Sequence, residues 1–367
     1  MSAITDAQAM QMAIAEGARG RLSAPPNPWV GCVVVRDGSI IGRGFHVRPG
    51  EAHAEVAALA EAGDAAAGAT AYVSLEPCVH HGRTPPCTDA LVAAGVKRVV
   101  FALEDPDARV RGAGAAALRA AGIEVVGGVE AEAAAESLLP YLHHRATGRP
   151  FIVIKAAVSL DGKIAAADRT SQWITGEEAR SDAHGLRAAS QAVVVGSGTA
   201  LADRPRLTAR GPDAGRFAQP LRVLLDATGR VPAEGPLFDM SLAPTLVVTT
   251  AQAEGSAVRA WKTAGAEVEE VGAGHGGGVD AAATFELLGR RGLLQALVEG
   301  GSTLQGSLMK EGLADEVVLY TSGVVLGDGA VPLWSGLAVP SLAGAPRWRL
   351  VTVDRIGDDV RTVWRPV

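Results

Sequence analysis

Cysteine is scarce in this chain: Cys32, Cys78 and Cys87 are the only three in 367 residues. A disulfide framework needs more of them and an even number, so the three fit a reducing compartment and metal-binding or catalytic chemistry. No apolar run approaches the roughly 18 residues that a membrane-spanning helix requires. The opening residues, MSAITDAQAMQMAIAEG, lack both a basic and an apolar stretch, so no secretory signal is expected. Clustered positive charge is missing too. The net charge is −6, no polybasic run occurs, and aromatic residues make up 4%. That leaves no electrostatic or stacking footprint for a long nucleic acid. These absences point to a cytoplasmic protein acting on small molecules, with neither nucleic acid nor membrane as a partner.

What is present is an ordinary globular composition, 48% hydrophobic and 20% charged, over a length sufficient for two domains. The first half alternates helical and strand signals. Residues 6–20 carry small apolar residues at helical spacing. Residues 30–35 and 40–45 flank Asp37-Gly38, a hairpin signal. Residues 51–62 predict a helix, 71–75 a short buried strand, 87–94 a helix, 97–103 a strand, 112–121 a helix and 123–126 a strand. Two strands followed by repeated helix–strand units predict an α/β sheet covered by helices on both faces. The polar stretch LHHRATGRP, residues 142–150, reads as a break. Beyond it, strands are expected at 151–158, 192–195, 221–225, 245–249 and 294–298, with helices notably at 177–189 and 303–311. A terminal hairpin turns at Gly357-Asp358, within 347–364. The second half is therefore a mixed α/β domain.

The strongest chemical signal is His53-Ala54-Glu55, followed by Pro77-Cys78 and then Cys87. One imidazole and two thiolates suit zinc and leave a tetrahedral position for water, whose pKa the metal lowers to about 7. Glu55, two residues after His53, is placed to take a proton from that water and deliver it to a ring nitrogen and the departing ammonia. The general zinc-deaminase pattern separates its cysteines by two residues; here eight intervene, VHHGRTPP, a loop long enough to reach toward a substrate. Two blander readings stand beside this one. The cysteines could be a core pair with a surface histidine, or the metal could be structural, with His80 or His81 as fourth ligand. Cys32, inside its strand, reads as core packing.

At these residues the chain resembles the bifunctional deaminase–reductase family of riboflavin biosynthesis. The matching stretches are PNPWVG (26–31), Gly44-Phe45-His46, His53-Ala54-Glu55, and Glu76-Pro77-Cys78 through Cys87-Thr88. In the second half they are KAAVSLDGK (155–163), SQWIT (171–175) and DRPRLT (203–208). The resemblance spans nearly the whole chain and is weakest between about 239 and 280. It implies an α/β fold: a cytidine-deaminase-like α/β/α domain over residues 1–147, then a dihydrofolate-reductase-like α/β domain over 148–367. It implies that the first hydrolyses the 2-amino group of 2,5-diamino-6-ribosylamino-4(3H)-pyrimidinone 5′-phosphate and that the second uses NADPH to reduce the ribosyl group to ribityl. On that carry-over His53, Cys78 and Cys87 hold one zinc ion, Glu55 is the proton donor, and Asn27 reads the ring edge. A homo-oligomer, dimer or tetramer, is the expected assembly.

The second site is softer on residues alone. Glycines at 300 and 301 follow a strand and open a helix, so backbone N–H groups there could cradle a cofactor phosphate; Gly301, Ser302 and Thr303 are the expected contacts. GSGT, residues 196–199, is comparable, but neither completes a dinucleotide-binding fingerprint. The resemblance assigns cofactor contacts to Ala157, Trp173, Thr199 and Asp203, and substrate contacts to Ser171, Arg187, Leu207, Arg210 and Glu299. Arg187, Arg206 and Arg210 are candidates for the substrate phosphate, and Asp203 is the candidate proton donor. His143, His144 and His184 read as structural or surface residues. The rival functions are a nucleobase or tRNA deaminase with an unrelated appended domain, and a non-enzymatic zinc module.

Overall fold

The computed structural model describes residues 4–82, 85–107, 109–211, 217–274 and 276–367. The chain divides into two compact units, Met1–Gly148 and Arg149–Val367.

The first unit contains α1 (Asp6–Ala18), β1 (Gly31–Arg36), β2 (Ser39–Phe45), α2 (Ala54–Ala62), β3 (Thr70–Val73), α3 (Cys87–Ala93), β4 (Arg98–Phe101), α4 (Ala113–Ala120), β5 (Glu124–Gly127), α5 (Ala131–Ser137) and α6 (Leu139–Thr147). A capping box opens α1: Thr5 accepts from the Gln8 backbone, and the Gln8 side chain accepts from the Thr5 backbone. The hairpin turns through Asp37 and Gly38, both with positive φ (50° and 74°), as a type I′ turn demands. The sheet order is β2-β1-β3-β4-β5. β1 runs antiparallel to β2 and β3, while β3, β4 and β5 are mutually parallel. Alternation along β1 sorts its residues between two cores. Cys32 and Val34 pack with Ala54, Ala58, Leu91 and Leu118. Val33 and Val35 pack with Met10, Ala13 and Ala134 on the opposite face. Helices thus cover both faces, and Cys32 is a fully buried core residue.

The polar stretch read as a break is helical as far as Thr147. Pro140 sits in the first turn of α6, and Gly148 ends the helix in the left-handed region at φ 73°. Buried Leu138 and Tyr141 supply the apolar anchor that the polar residues around them obscure.

The second unit contains β6 (Phe151–Val158), β7 (Lys163–Ala165), α7 (Glu177–Ala188), β8 (Ala192–Gly196), α8 (Ser197–Asp203), β9 (Leu221–Leu225), β10 (Thr245–Thr249), α9 (Gly255–Thr263), β11 (Glu267–Glu270), α10 (Ala281–Arg290), β12 (Gln295–Gly300), α11 (Ser302–Lys310), β13 (Glu316–Thr321), β14 (Val331–Pro332), β15 (Trp348–Ile356) and β16 (Asp359–Pro366). Nine strands form one sheet in the order β11-β10-β9-β8-β12-β6-β13-β16-β15. It is parallel from β11 to β13, and the terminal hairpin adds two antiparallel strands at one edge. β12 is inserted between β8 and β6, so the order reverses there. The crevice at the carboxyl ends of these three strands is where an open α/β sheet receives a ligand.

Candidate active sites

In the first unit, Gly44 lets α2 lie directly against β2. A Cβ at that position would fall 2.3 Å from the Ala54 carbonyl oxygen. This close packing fixes the start of α2 beside the sheet. His53 is the N-cap, with extended backbone (φ −73°, ψ 164°), and Glu55 lies in the first turn, only 3% exposed. Cys87 opens α3, and its backbone N–H donates to Cys78 Sγ at 3.4 Å. His53 Nδ1 is 3.1 Å from Cys87 Sγ and 3.5 Å from Cys78 Sγ, and the two sulfurs are 3.4 Å apart. A tetrahedral zinc with ordinary Zn–S and Zn–N bonds separates such atoms by about 3.6 to 3.8 Å. A contraction of a few tenths of an ångström is all that distinguishes this trio from a zinc site, so the donors and their spacing fit the metal. Among the described residues His53, Cys78 and Cys87 are the one cluster of this kind. Neither His80 nor His81 joins it, which leaves the fourth position open.

The electrostatics suit the same use. The hydrogen bond from Cys87 is the main influence that lowers Cys78 to about 4. Cys87 is pushed up in turn, first by that shared proton and then by burial. His53, Cys78 and Cys87 would hold a cation in place of that thiol proton. Burial pushes the Glu55 carboxyl above its ordinary value, with the Cys78 charge adding to the effect. A carboxyl raised in this way exchanges protons more readily at neutral pH than an exposed one.

A cavity of 470 Å³ opens beside the trio. Asn27, His46, Glu55, His80, Asp105, Arg109, Tyr141 and Arg145 line it. The loop between Cys78 and Cys87 contributes Gly82 as well; its Arg83 and Thr84 lie outside the described residues. Sequence reasoning missed three members of this region. Tyr141 donates to Asp105 Oδ1 at 2.8 Å, and burial raises the Asp105 carboxyl. Glu76, 3% exposed, accepts from the backbone of Gly112 and Ala115, each at 2.9 Å, and of Asp105 at 3.4 Å. It ties the Pro77-Cys78 segment to the loop before α4. The usable signal was the acidic run Glu104-Asp105-Pro106-Asp107 at the carboxyl end of a parallel strand.

In the second unit, a cavity of 790 Å³ occupies the crevice between β8, β12 and β6. Ala157, Ser171, Trp173, Arg187, Thr199, Asp203, Leu207, Arg210, Glu299 and Gly301 all line it, as does Arg206. Ser302 and Thr303 do not. The Ser302 hydroxyl is engaged by Ser335 Oγ, and Thr303 is exposed on the first turn of α11. Gly300 is required by its neighbour: a Cβ there would meet Thr199 Oγ1 at 2.7 Å. Leu207 has left-handed backbone (φ 54°) and is buried. Its loop is held by Gln219, which accepts from Ala209 N at 2.9 Å and donates to Ala209 O at 3.1 Å.

Arg187 and Glu299 form a two-pronged pair, Nε to Oε1 at 2.5 Å and Nη2 to Oε2 at 2.6 Å, and Arg187 Nη1 donates to Thr208 O at 3.1 Å. The guanidinium fork is therefore spent on protein groups, whereas Arg206 and Arg210 line the cavity with no ion pair among the described residues. Two further residues emerge. His184, read as structural or surface, lines the cavity. Burial, then the charges of Arg187 and Arg210, lower it to about 4. Lys155 interrupts the buried strand β6, lines the cavity and lies 5.6 Å from the Tyr320 ring centre. Burial lowers its ammonium below the ordinary value; the Glu299 charge opposes this and Arg187 reinforces it. Asp203 is raised by burial.

Comparison with known proteins covers both halves. Residues 3–103 match the cytidine and deoxycytidylate deaminase zinc-binding region, and residues 150–362 match the RibD C-terminal domain. The riboflavin biosynthesis protein RibD of Chlamydia trachomatis is 44% identical over 354 residues, 96% of this chain and 93% of the relative. A solved structure of Acinetobacter baumannii RibD superposes with a TM-score of 0.90 at 38% identity, over 99% of both chains. A diaminohydroxyphosphoribosylaminopyrimidine deaminase/5-amino-6-(5-phosphoribosylamino)uracil reductase from Thermotoga maritima gives 0.86 at 34% identity, over 99% of both.

Proposed function

From the membership of this chain in the RibD family of bifunctional deaminases and reductases of riboflavin biosynthesis, we propose how its two cavities divide the chemistry. Residues 1–147 remove ammonia from 2,5-diamino-6-ribosylamino-4(3H)-pyrimidinone 5′-phosphate. Residues 148–367 reduce the ribosyl group of the product with NADPH. The observation that carries the first half is the buried carboxyl of Glu55 lining one cavity with His53 and Cys78, two members of the donor trio that Cys87 completes.

Deamination breaks the C2–N bond and forms a C2–O bond with oxygen from water. When bound to His53, Cys78 and Cys87, zinc supplies a Lewis acid that makes water nucleophilic near neutral pH. Glu55 takes the proton that water loses, passes it to ring N1 and assists departure of ammonia. Asn27 holds the ring edge. The buried Asp105 and Tyr141 in the cavity lining limit the water that reaches the reacting carbon.

Reduction opens the sugar: C1′ gains a hydrogen with its electron pair, and O4′ leaves as a hydroxyl that needs a proton. Ala157, Trp173, Thr199, Asp203 and Gly301, with Ser302 and Thr303 beyond it at the start of α11, would hold NADPH, which would supply the hydride. Ser171, the Leu207 backbone and Arg210 hold the substrate, and Arg206 and Arg210, both lining the cavity, offer their guanidinium groups to its phosphate. Arg187 acts by fixing Glu299. Of the titratable groups lining the cavity, Lys155 and Asp203 are the candidate proton donors, and Lys155, which feels the Glu299 charge, is the favoured one. A cytoplasmic homo-oligomer belongs to the same reading; among the described residues no helix is long and apolar enough to cross a membrane.

The test is a coupled assay of the purified zinc-loaded chain on the diaminopyrimidine phosphate. Ammonia should appear first and NADPH should then be consumed in equal amount. NADPH loss without ammonia, or ammonia from cytosine or tRNA but not from this substrate, contradicts the assignment.

A further inference from the structure

His46 follows β2 in the wall of the first cavity and is 3% exposed. Its backbone N–H donates to Val30 O at 3.0 Å, which seats the residue. Its ring Nδ1 lies 3.1 Å from Ala52 O, and Nε2 lies 3.0 Å from Asn27 Nδ2. A carbonyl oxygen only accepts, so Nδ1 carries the ring proton. An amide nitrogen only donates, so Nε2 presents its lone pair. The ring of His53 stands edge-on to His46, centroids 5.2 Å apart, and closes a third side. With one tautomer held in place, the Asn27 amide has one matching orientation, Nδ2 toward His46; since Asn27 lines the cavity, Oδ1 is the amide group left for a ligand there.

We infer that His46 is a positioning residue that locks Asn27 as a hydrogen-bond acceptor toward the substrate, and thereby selects a pyrimidine with an N–H beside the carbon that loses ammonia. The inference rests on the deaminase assignment above and deepens it. A 2-amino-4-oxopyrimidine has N3–H on one side of C2 and an unprotonated N1 on the other. The first donates to Asn27 Oδ1, and the second receives the proton from Glu55. A 4-amino-2-oxopyrimidine of the cytosine kind flanks its amino carbon with C5–H and a lone pair on N3. Either flank leaves Asn27 Oδ1 unmatched, and an enclosed polar atom left unmatched is a stronger discriminator than any difference in shape. The locked amide explains how a deaminase of cytidine-deaminase type can prefer the opposite arrangement of donor and acceptor on the ring.

Two measurements on the zinc-loaded full-length chain test this. The first is nitrogen NMR of the chain labelled at histidine, with the His46 signals assigned by their loss in His46→Leu. Nδ1 should be protonated and Nε2 bare; a proton on Nε2 overturns the inference whatever the variants do. The second is kinetic. His46→Leu frees the amide to rotate, so KM for the diaminopyrimidine phosphate should rise on the order of ten-fold with kcat nearly unchanged. Inhibition by cytidine 5′-monophosphate should become tighter, because a rotated Asn27 can donate to N3. His46→Gln returns an acceptor and should recover the KM. General damage would weaken both ligands together, and that result, or no change in either, overturns the inference. If the unaltered chain releases no ammonia from the diaminopyrimidine, it is the deaminase assignment that fails instead.

Discussion

The Glu299 carboxylate takes two arms of the Arg187 guanidinium while the third reaches the Thr208 carbonyl. One salt bridge therefore links β12, α7 and the loop carrying Leu207 at the floor of the reductase cavity. The side chains are 17% and 9% exposed, and removing one partner of a pair so enclosed costs about 3–5 kcal/mol. Glu299→Gln should lower the unfolding free energy of the second unit by about 3 kcal/mol. It should also cut reductase turnover about 100-fold, with ammonia release unchanged. Denaturant titration and the two separate assays check this; full reductase activity in the variant would remove the pair from the site.

Lys155 should set an alkaline limit on reduction. Burial disfavours its ammonium, so its proton leaves the folded chain below the ordinary 10.5. Between the folded and unfolded values the unfolded chain binds more protons, and stability rises with pH. Activity runs the other way, because the cation beside Glu299 disappears as pH climbs through the depressed value. The reductase pH profile should fall on its alkaline side below 10.5. In Lys155→Arg, which stays charged, that fall should vanish even if turnover is lower. A fall that persists unchanged in Lys155→Arg assigns it to another group.

Glu76 should govern zinc retention without touching the ion. Its carboxylate accepts from the Gly112 and Ala115 backbones and holds the segment that carries Cys78. Loss of such an outer support costs about 10- to 100-fold in metal affinity. Glu76→Ala should release zinc to a competing chelator at correspondingly lower concentrations. Chelation itself should abolish ammonia release and spare reduction of pre-deaminated substrate. Unaltered zinc affinity in Glu76→Ala would mean the segment is held by other contacts.

Much of the frame was legible in residue order, for definite reasons. β6, β9 and β10 are mostly apolar runs, charged only at Lys155 and Arg222, in a parallel sheet buried on both faces, and their expected and observed limits coincide. The hairpin at Asp37-Gly38 carries its own turn chemistry. β11 was hidden because it is an edge strand reading EVEE, with Glu267 and Glu269 paired to Arg291 rather than packed into a core. α6 was hidden because its polar face outnumbers the buried Pro140 and Tyr141. At the sites, the metal trio was visible because its spacing is tied to its chemistry. Glu76, Asp105 and His46 act through backbone groups and neighbouring side chains that only folding brings near. Lys155 was available as a charge inside an apolar strand, yet a lone lysine there does not announce which cavity it will line.

The account depends most on Glu55 working as a proton carrier in a unit whose catalysis is independent of the other. Glu55→Ala tests both points in one protein preparation. Zinc content should stay at the unaltered level, ammonia release should fall about 100- to 10,000-fold, and reduction of pre-deaminated substrate should proceed at the unaltered rate. Ammonia release at the original rate with zinc in place, or loss of both activities together, would contradict it.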